Sequence, residues 1–396
     1  MTRRLFDEDA YTKEFEAEVT ACEPAEHGFW VTLDQTAFYP EGGGQPADFG
    51  TLSTADGRTA AVTDTQEKAG VIRHRTDLEI TSGTRVTGRI DWERRFDHMQ
   101  NHSGEHIISG LVHARYGYDN VGFHMSETAV DGVKEITVDW NGALDWPQLK
   151  EIERQANEAV WKNFPIEITY PTPEELAVLP YRSKKELTGR IRIVTFPGYD
   201  ICACCGTHVR RTGEIGCIKI TSLANYKSGV RISMLCGSRA LLDYEQKQEA
   251  LDQTARALSV RQADTPAAVD RLRDELAALR FAAAGMRKKL NHQAADAIPA
   301  GTDRYLAEDP DAGIEEVREM VNYCMEKVPL VLGICRAGEG KYNYILGSTE
   351  DLAQQYGKCL NAALAGRGGG KPRMVQGSFA ASLPEIREAF GRLGAK

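Results

Sequence analysis

Residues 101–106 read Asn-His-Ser-Gly-Glu-His, and the interpretation of the whole chain turns on them. From Trp92 to Tyr116 there is no proline, and Phe96, Ile107, Ile108 and Leu111 recur with helical rather than alternating spacing. A helix over this stretch puts His102 and His106, four residues apart, on adjacent turns of one face, where their imidazoles can share a metal ion. His98 falls near the same side but about 12 Å from His106 along the axis, too far for one ion, and reads as a supporting or structural histidine.

About a hundred residues later Cys204-Cys205-Gly206-Thr207-His208 repeats the offset of four between Cys204 and His208. Two local pairs of nitrogen and sulfur donors are how zinc is usually held, so His102, His106, Cys204 and His208 are the expected Zn2+ ligands. Four protein ligands normally close the coordination sphere, whereas catalysis needs an open position. Either one ligand is loose, or substrate adds as a fifth, or the zinc is purely structural. The helix is not that of the metalloproteases, in which Glu directly follows the first His; here Glu105 precedes the second and is the candidate base. Zinc polarising a carbonyl or a bound water makes hydrolysis of an ester or amide accessible at neutral pH.

On the N-terminal side of the helix, short alternating apolar runs at 29–33, 59–62, 71–73 and 86–90, separated by turn-rich clusters, predict a small β-barrel over 1–90. Within it lies Phe38-Tyr39-Pro40-Glu41-Gly42-Gly43-Gly44-Gln45-Pro46. Its three successive glycines can press a backbone close to a partner or form a plain hairpin turn. Beyond the helix, strands are expected at 121–125, 133–139, 165–170, 191–195, 216–221 and 230–235, with a helix opened by Asp145-Trp146-Pro147. The segment 91–237 is thus an α+β zinc-binding domain. Over 238–298, Tyr244, Leu251, Ala255 and Leu258, then Val269, Leu272, Leu276, Leu279, Ala283, Met286 and Leu290, predict two helices folded back as a hairpin and packed within the chain. The last segment, 299–396, alternates helix and strand. It holds Gly366-Arg367-Gly368-Gly369-Gly370-Lys371-Pro372, expected as a helix-end loop that offers N–H groups and positive charge to phosphate without Walker A spacing.

The 396 residues call for two or three domains. Nine scattered cysteines, three of them within 202–205, and the lack of an apolar leader or a bilayer-length apolar run point to a cytoplasmic, reducing setting with no membrane partner. A formal net charge of −9 opposes indiscriminate binding of polyanions. Local basic patches remain at Arg182-Ser183-Lys184-Lys185, Arg210-Arg211, Arg287-Lys288-Lys289, and Arg367 with Lys371 and Arg373.

Four motifs occur in order: the glycine motif at 38–46, His102-Ser-Gly-Glu-His106, Cys204-Cys-Gly-Thr-His208-Val followed by Thr212-Gly-Glu-Ile-Gly216, and the terminal Gly-Arg-Gly-Gly-Gly-Lys-Pro. Together they resemble an alanyl-tRNA editing protein of the AlaX type, in its long form. That form is similar to the editing and C-terminal DHH-associated domains of alanyl-tRNA synthetase. The fold this implies is α+β multidomain: N-terminal β-barrel, zinc-binding editing domain, helical hairpin and C-terminal α/β DHH-associated domain. The implied activity is trans-editing, the zinc-dependent deacylation of tRNA(Ala) mischarged with serine, and also with glycine. His102, His106, Cys204 and His208 match the family's zinc-ligand positions, and Gly42, Gly43, Gly44 and Gln45 match the element beside its editing pocket.

Two departures stand out. Ser103-Gly104-Glu105 replaces the Thr-Ala-Thr usual between the histidines of the synthetase, and Cys205 stands where a glycine is usual, leaving Cys202 and Cys205 as substitute ligands. Rejecting alanine while cleaving serine calls for buried polar groups that only the serine hydroxyl satisfies, and Thr36, Gln45, His124 and Ser126 are the candidates. Arg367, Gly368, Gly369, Gly370 and Lys371 are the expected tRNA contacts, and the last domain is a candidate for homodimerisation. The alternatives are a tRNA-binding protein with a structural zinc and no catalysis, and a zinc hydrolase of another small acyl substrate. A DHH phosphoesterase is disfavoured, since Asp97-His98-Met99 is the nearest approach to its triplet, and a chain opening at the barrel is expected to lack an aminoacylation domain.

Overall fold

The computed structural model describes residues 1–126, 133–183 and 190–393, which form two compact units, Met1–Gln253 and Thr254–Lys396. Lys184 and Lys185 of the first basic patch lie outside the described residues.

Strands β1 (Glu14–Pro24), β2 (Phe29–Leu33), β3 (Gly50–Thr54), β4 (Thr59–Lys68), β5 (Val71–Thr76) and β6 (Arg85–Ile90) close into a barrel in the order β1-β2-β5-β4-β3-β6. The barrel seals where Glu14–Glu18 of β1 pairs antiparallel with Arg85–Arg89 of β6. Along β1 alternate residues Phe15, Ala17 and Val19 turn inward and meet Val31, Leu33, Phe38, Leu52 and Val86. Each buried Val, Leu or Phe among them contributes about 1.5–3 kcal/mol before entropy is counted. The glycine motif leaves the barrel as a tight turn: Gly42 and Gln45 exchange both backbone hydrogen bonds, at 3.1 and 3.0 Å. Gly43 and Gly44 between them take φ of +62° and +87°, which L side chains rarely adopt. Hairpin turn and close approach are both present, because the Gly44 carbonyl accepts from Met125 N–H at 3.1 Å.

Helix α1 spans Trp92–Tyr116, over the stretch the spacing predicts. Asp91 caps it by accepting from Arg94 N–H, worth about 1 kcal/mol, and Gly117 at φ +71° ends it. Arg95 on the first turn is fully buried. It donates to Asp48 Oδ2 at 2.8 Å, to the Ala10 carbonyl at 2.8 Å and to the Ala37 carbonyl at 2.6 Å. The helix is thereby fastened to the barrel beside the glycine turn.

Around α1 lie β7 (Asn120–Met125), β8 (Ile136–Trp140), α2 (Trp146–Lys162), β9 (Glu167–Thr169), β10 (Ile193–Phe196), β11 (Asp200–Ala203), β12 (Ile218–Tyr226) and β13 (Gly229–Cys236). The strands make a four-stranded sheet, β12-β13-β8-β7, and a three-stranded sheet, β9-β10-β11. Asp145 and Gln148 form a reciprocal capping box at the start of α2, with Pro147 in its first turn. Met99, Ile107, Ile108 and Val112 of α1 share one core with Trp140, Ile152, Phe196 and Ile232.

Helix α3 (Ser238–Ala257) carries the chain to the second unit. That unit contains α4 (Thr265–Asp296), β14 (Arg304–Glu308), α5 (Ile314–Cys324), β15 (Leu330–Gly338), β16 (Lys341–Ser348), α6 (Ala353–Ala363), β17 (Arg367–Lys371), β18 (Met374–Phe379) and α7 (Leu383–Gly391), with sheet order β14-β15-β16-β18-β17. Two expectations are corrected here. Both helices of the expected hairpin exist, but Val269, Leu272, Leu276, Leu279, Met286 and Leu290 of α4 are exposed, so this apolar stripe is not buried among the described residues. The glycine run after α6 is no helix-end loop: residues 367–371 pair antiparallel with 374–378 as an edge strand. A side chain at Gly370 would come within 3 Å of the β18 backbone, so the run lies flush against it.

Candidate metal centre

Ligand atoms of His102, His106, Cys204 and His208 all lie within 4.8 Å of one another. Helix α1 supplies the first two, and the turn after β11 supplies the others. Ring centroids are 5.2 Å apart for His102 and His106, 4.6 Å for His102 and His208, and 4.9 Å for His106 and His208. Cys204 Sγ is 3.5 Å from His102 Nε2. The ligand turn is clamped by Arg192, which donates to the Cys204 and Gly206 carbonyls at 2.8 and 3.0 Å.

Each histidine has its Nδ1 engaged elsewhere. His102 Nδ1 is 2.9 Å from Gln45 Oε1, His106 Nδ1 is 2.9 Å from Asp200 Oδ2, and His208 Nδ1 is 3.3 Å from Ser103 Oγ. A ring that donates from Nδ1 keeps the Nε2 lone pair for a metal. Among the described residues, His208 Nε2 is a buried atom with no hydrogen-bond partner apart from its approach to the Cys204 thiol, an expensive arrangement unless a cation takes that lone pair.

The electrostatics agree. Burial pushes the Cys204 thiol up, but His102 and His106 outweigh it and hold the thiol well below its ordinary range. Burial pulls His106 down, yet the Cys204 thiolate and the Asp200 carboxylate hold it well above 6.5. Burial, reinforced by His102, pulls His208 down to about 3. A thiolate and a neutral imidazole aimed at one point, with a second imidazole whose proton a divalent cation can displace, fit zinc.

Gln45 is brought to this centre, though as a support for His102: its Oε1 also accepts from Thr207 N–H at 3.2 Å, and its Nε2 donates to Thr207 Oγ1 at 2.9 Å. The Gly42–Gly44 turn comes with it. Gly44 packs so closely on Phe123 that a side chain would meet the Phe123 carbonyl, and Phe123 stacks on His102 at 5.1 Å. His124, next along β7, is exposed, since successive residues of a strand face opposite ways. Ser126 donates its N–H to the Glu135 carbonyl at 3.1 Å. Thr36 is not brought to the centre; its hydroxyl is buried in the barrel, 2.8 Å from His74 Nε2. Glu105 is buried and accepts from Ser109 at 2.6 Å and from Asn120.

Cys202 joins His106 and Asp200 in a second group of potential ligands, while Cys205 is exposed. The Arg367–Lys371 strand is exposed throughout and borders a groove of about 440 Å³ with Arg318, Asn322 and Arg373. Other basic candidates are neutralised by neighbours: Arg210 by Asp9, Arg287 by Glu316 and Asp309, and Lys288 by Glu319. Asp200, Arg192, Thr207 and Phe123 escape a sequence reading aimed at ligands. The period of two in β11 is the signal that could have put Asp200 on the same side as Cys202.

Residues 8–94 match the family model of tRNA synthetases class II (A), and residues 191–233 match the second additional domain of threonyl and alanyl tRNA synthetases. Alanine–tRNA ligase of Pyrococcus furiosus is 31% identical over 99% of this chain and 43% of its own length. The ligase of Pyrococcus abyssi is 31% identical over 95% and 42%, and that of Halobacterium salinarum is 38% identical over 68% and 30%. A solved C-Ala domain from Aquifex aeolicus alanyl-tRNA synthetase matches at 21% identity, covering 22% of this chain and 87% of that one with a TM-score of 0.20, which adds nothing to the sequence relation. The chain spans about two-fifths of the length of the first of these ligases. Nearly the whole of this chain thus aligns with alanyl-tRNA synthetase relatives, the second additional domain falling on the strands that flank Cys204 and His208, and an AlaX-type editing relationship fits.

Proposed function

We propose that this protein deacylates tRNA(Ala) mischarged with serine, and also with glycine, by zinc-dependent ester hydrolysis. The observation that carries the reading is the convergence of three imidazoles and a thiolate on one point, each histidine held through Nδ1. His102, His106, Cys204 and His208 would hold the zinc, which when bound supplies Lewis-acid polarisation of an ester carbonyl or a water.

The chain's own groups do the rest. Gln45 keeps the His102 ring turned toward the cluster, and Gly42–Gly44 with Phe123 wall the same side. Gln45 and Thr207 present polar atoms beside His102, the kind of group that a serine hydroxyl satisfies and an alanine methyl does not. Ser126, just past β7, is the proposed extension of that wall; His124, which faces the other way from Phe123, and Thr36, which is bonded to His74 inside the barrel, stand apart from it. Glu105 is the candidate proton acceptor, oriented by Ser109 and Asn120. In the second unit, the exposed strand of Arg367, Gly368, Gly369, Gly370 and Lys371 is the proposed contact with the tRNA backbone, and self-association through this unit belongs to the same reading.

The test is loss of labelled serine, beside alanine, from mischarged and correctly charged tRNA(Ala), with a His102→Ala control. Fast serine release with alanine spared, abolished in the control, is expected. Four protein donors also suit a closed structural zinc site. If neither ester is cleaved above the control, the protein binds tRNA without chemistry.

A further inference from the structure

Among the three histidines of the cluster, His106 alone leans on a carboxylate; Gln45 and Ser103 offer neutral oxygens to the other two. Asp200 is itself buried, and Arg182 holds it by a fork: Nε donates to Oδ1 and Nη2 to Oδ2, both at 2.8 Å. Such bidentate pairs fix the plane of a carboxylate as well as its position. The fork is prearranged by the backbone. Arg182 N–H donates to the Ile201 carbonyl at 2.8 Å and Ala203 N–H donates to the Arg182 carbonyl at 2.9 Å, so residue 182 is laced onto β11, the strand that carries Asp200. Phe196 stacks on the His106 ring at 5.4 Å and 14°, limiting its tilt from the other side.

We infer that Asp200, held in plane by Arg182, is a positioning residue that fixes the orientation and tautomer of His106 for metal binding. The inference rests on the reading of His102, His106, Cys204 and His208 as a zinc site. A neutral imidazole has one N–H. With that hydrogen donated from Nδ1 to Asp200, the lone pair must sit on Nε2, the nitrogen that faces Cys204 and His208. Turning the ring over would set a carbon against the carboxylate and withdraw Nε2 from the cluster. The negative charge also makes the imidazole a stronger donor, which an amide or hydroxyl partner does far less.

The experiment uses the full chain and two readouts besides activity: zinc affinity by competition with a chromophoric chelator, and the visible spectrum of the cobalt(II)-substituted protein. Asp200→Ala is expected to weaken zinc binding about 10- to 100-fold and to change the cobalt spectrum, since one imidazole is displaced. Asp200→Asn keeps an acceptor oxygen and is expected to restore most of that loss. Arg182→Met, which frees the carboxylate to rotate, is expected to fall between them. Should Asp200→Ala not fold, the Asn and Met variants carry the test, and parental affinity and spectrum in both would overturn the inference. A folded Asp200→Ala that binds zinc within about threefold of the parent, with an unchanged spectrum, also overturns it. A parent that binds no zinc removes the metal site itself, and this inference with it.

Discussion

A single methyl group at Gly206 should unseat one metal ligand. A Cβ there would lie within 3 Å of Cε1 and Nδ1 of His102 and 3.1 Å from Gln45 Oε1, where carbon contacts are comfortable only at about 3.5–4.0 Å. The turn cannot retreat: the Gly206 carbonyl is held by Arg192 at 3.0 Å, and Thr207 N–H by Gln45 at 3.2 Å. Nor can His102 translate, because it stands inside the 25-residue helix α1. Its ring must therefore rotate and give up the 2.9 Å bond from Nδ1 to Gln45. Overpacking costs about 1–3 kcal/mol and the lost hydrogen bond about 1 kcal/mol, roughly 2–4 kcal/mol in all. At about 1.4 kcal/mol per tenfold, Gly206→Ala should bind zinc roughly 30- to 700-fold more weakly. Chelator competition on parent and variant measures this directly, and serine release from mischarged tRNA(Ala) should fall in step. Zinc affinity within about threefold of the parent at equal stoichiometry would refute the packing argument.

Two further outcomes concern the barrel and the second unit. His74 is buried in the barrel, and burial pulls it down to about 4 despite its contact with the Val31 carbonyl. It binds a proton less readily folded than unfolded, so its contribution is complete above pH 6.5 and is lost as pH falls from 6.5 toward 4, by roughly 3 kcal/mol at about 1.4 kcal/mol per pH unit. Denaturant unfolding at pH 7, 5.5 and 4.5 should show a shallower acid loss in His74→Gln than in the parent; equal slopes would exclude His74 as the cause. Replacing Arg367 and Lys371 together by Ala should weaken tRNA binding and lower the salt dependence of its logarithm by about 1–2. An unchanged salt slope would assign this strand another purpose.

Local signals made much of the molecule legible in advance. The proline-free run from Trp92 and the cap before Pro147 placed two helices, because capping and 3.6-residue periodicity are properties of short stretches. The four potential ligands are legible for the same reason: each pair is a repeat of four residues, and only the meeting of the pairs is a tertiary fact. What was hidden depends on neighbours distant in sequence. Gln45 is expected beside the substrate, and nothing local says that its glycine turn also reaches His102, 57 residues away. Thr36 is expected as a pocket residue, and only the fold shows that its hydroxyl meets His74 of β5 inside the barrel. The glycine run at 368–370 carries no alternation of side chains to announce a strand, and only its pairing with β18 reveals one. The stripe on α4 is apolar and helical as its periodicity predicts, but periodicity is silent on whether such a face is buried.

The barrel is part of the candidate metal centre rather than a neighbour to it. Gln45 on its glycine turn is the partner of His102 Nδ1 and of Thr207, so one barrel side chain touches both ligand-bearing segments. Arg95 completes the connection from the other direction. It leaves α1 less than two turns before His102 and ends on Asp48, whose carboxylate also accepts from Tyr39 N–H at 2.7 Å, just ahead of the turn. Both groups are wholly buried, and removing either partner of such a pair costs about 3–5 kcal/mol because the survivor keeps an uncompensated charge. A shift of the barrel against α1 would therefore break the ion pair and withdraw Gln45 from His102 in the same movement. The spacing of His102 from His208 thus depends on a junction built from residues 37–48 and Arg95, and a substitution there that touches no ligand should be felt first as a change in metal affinity.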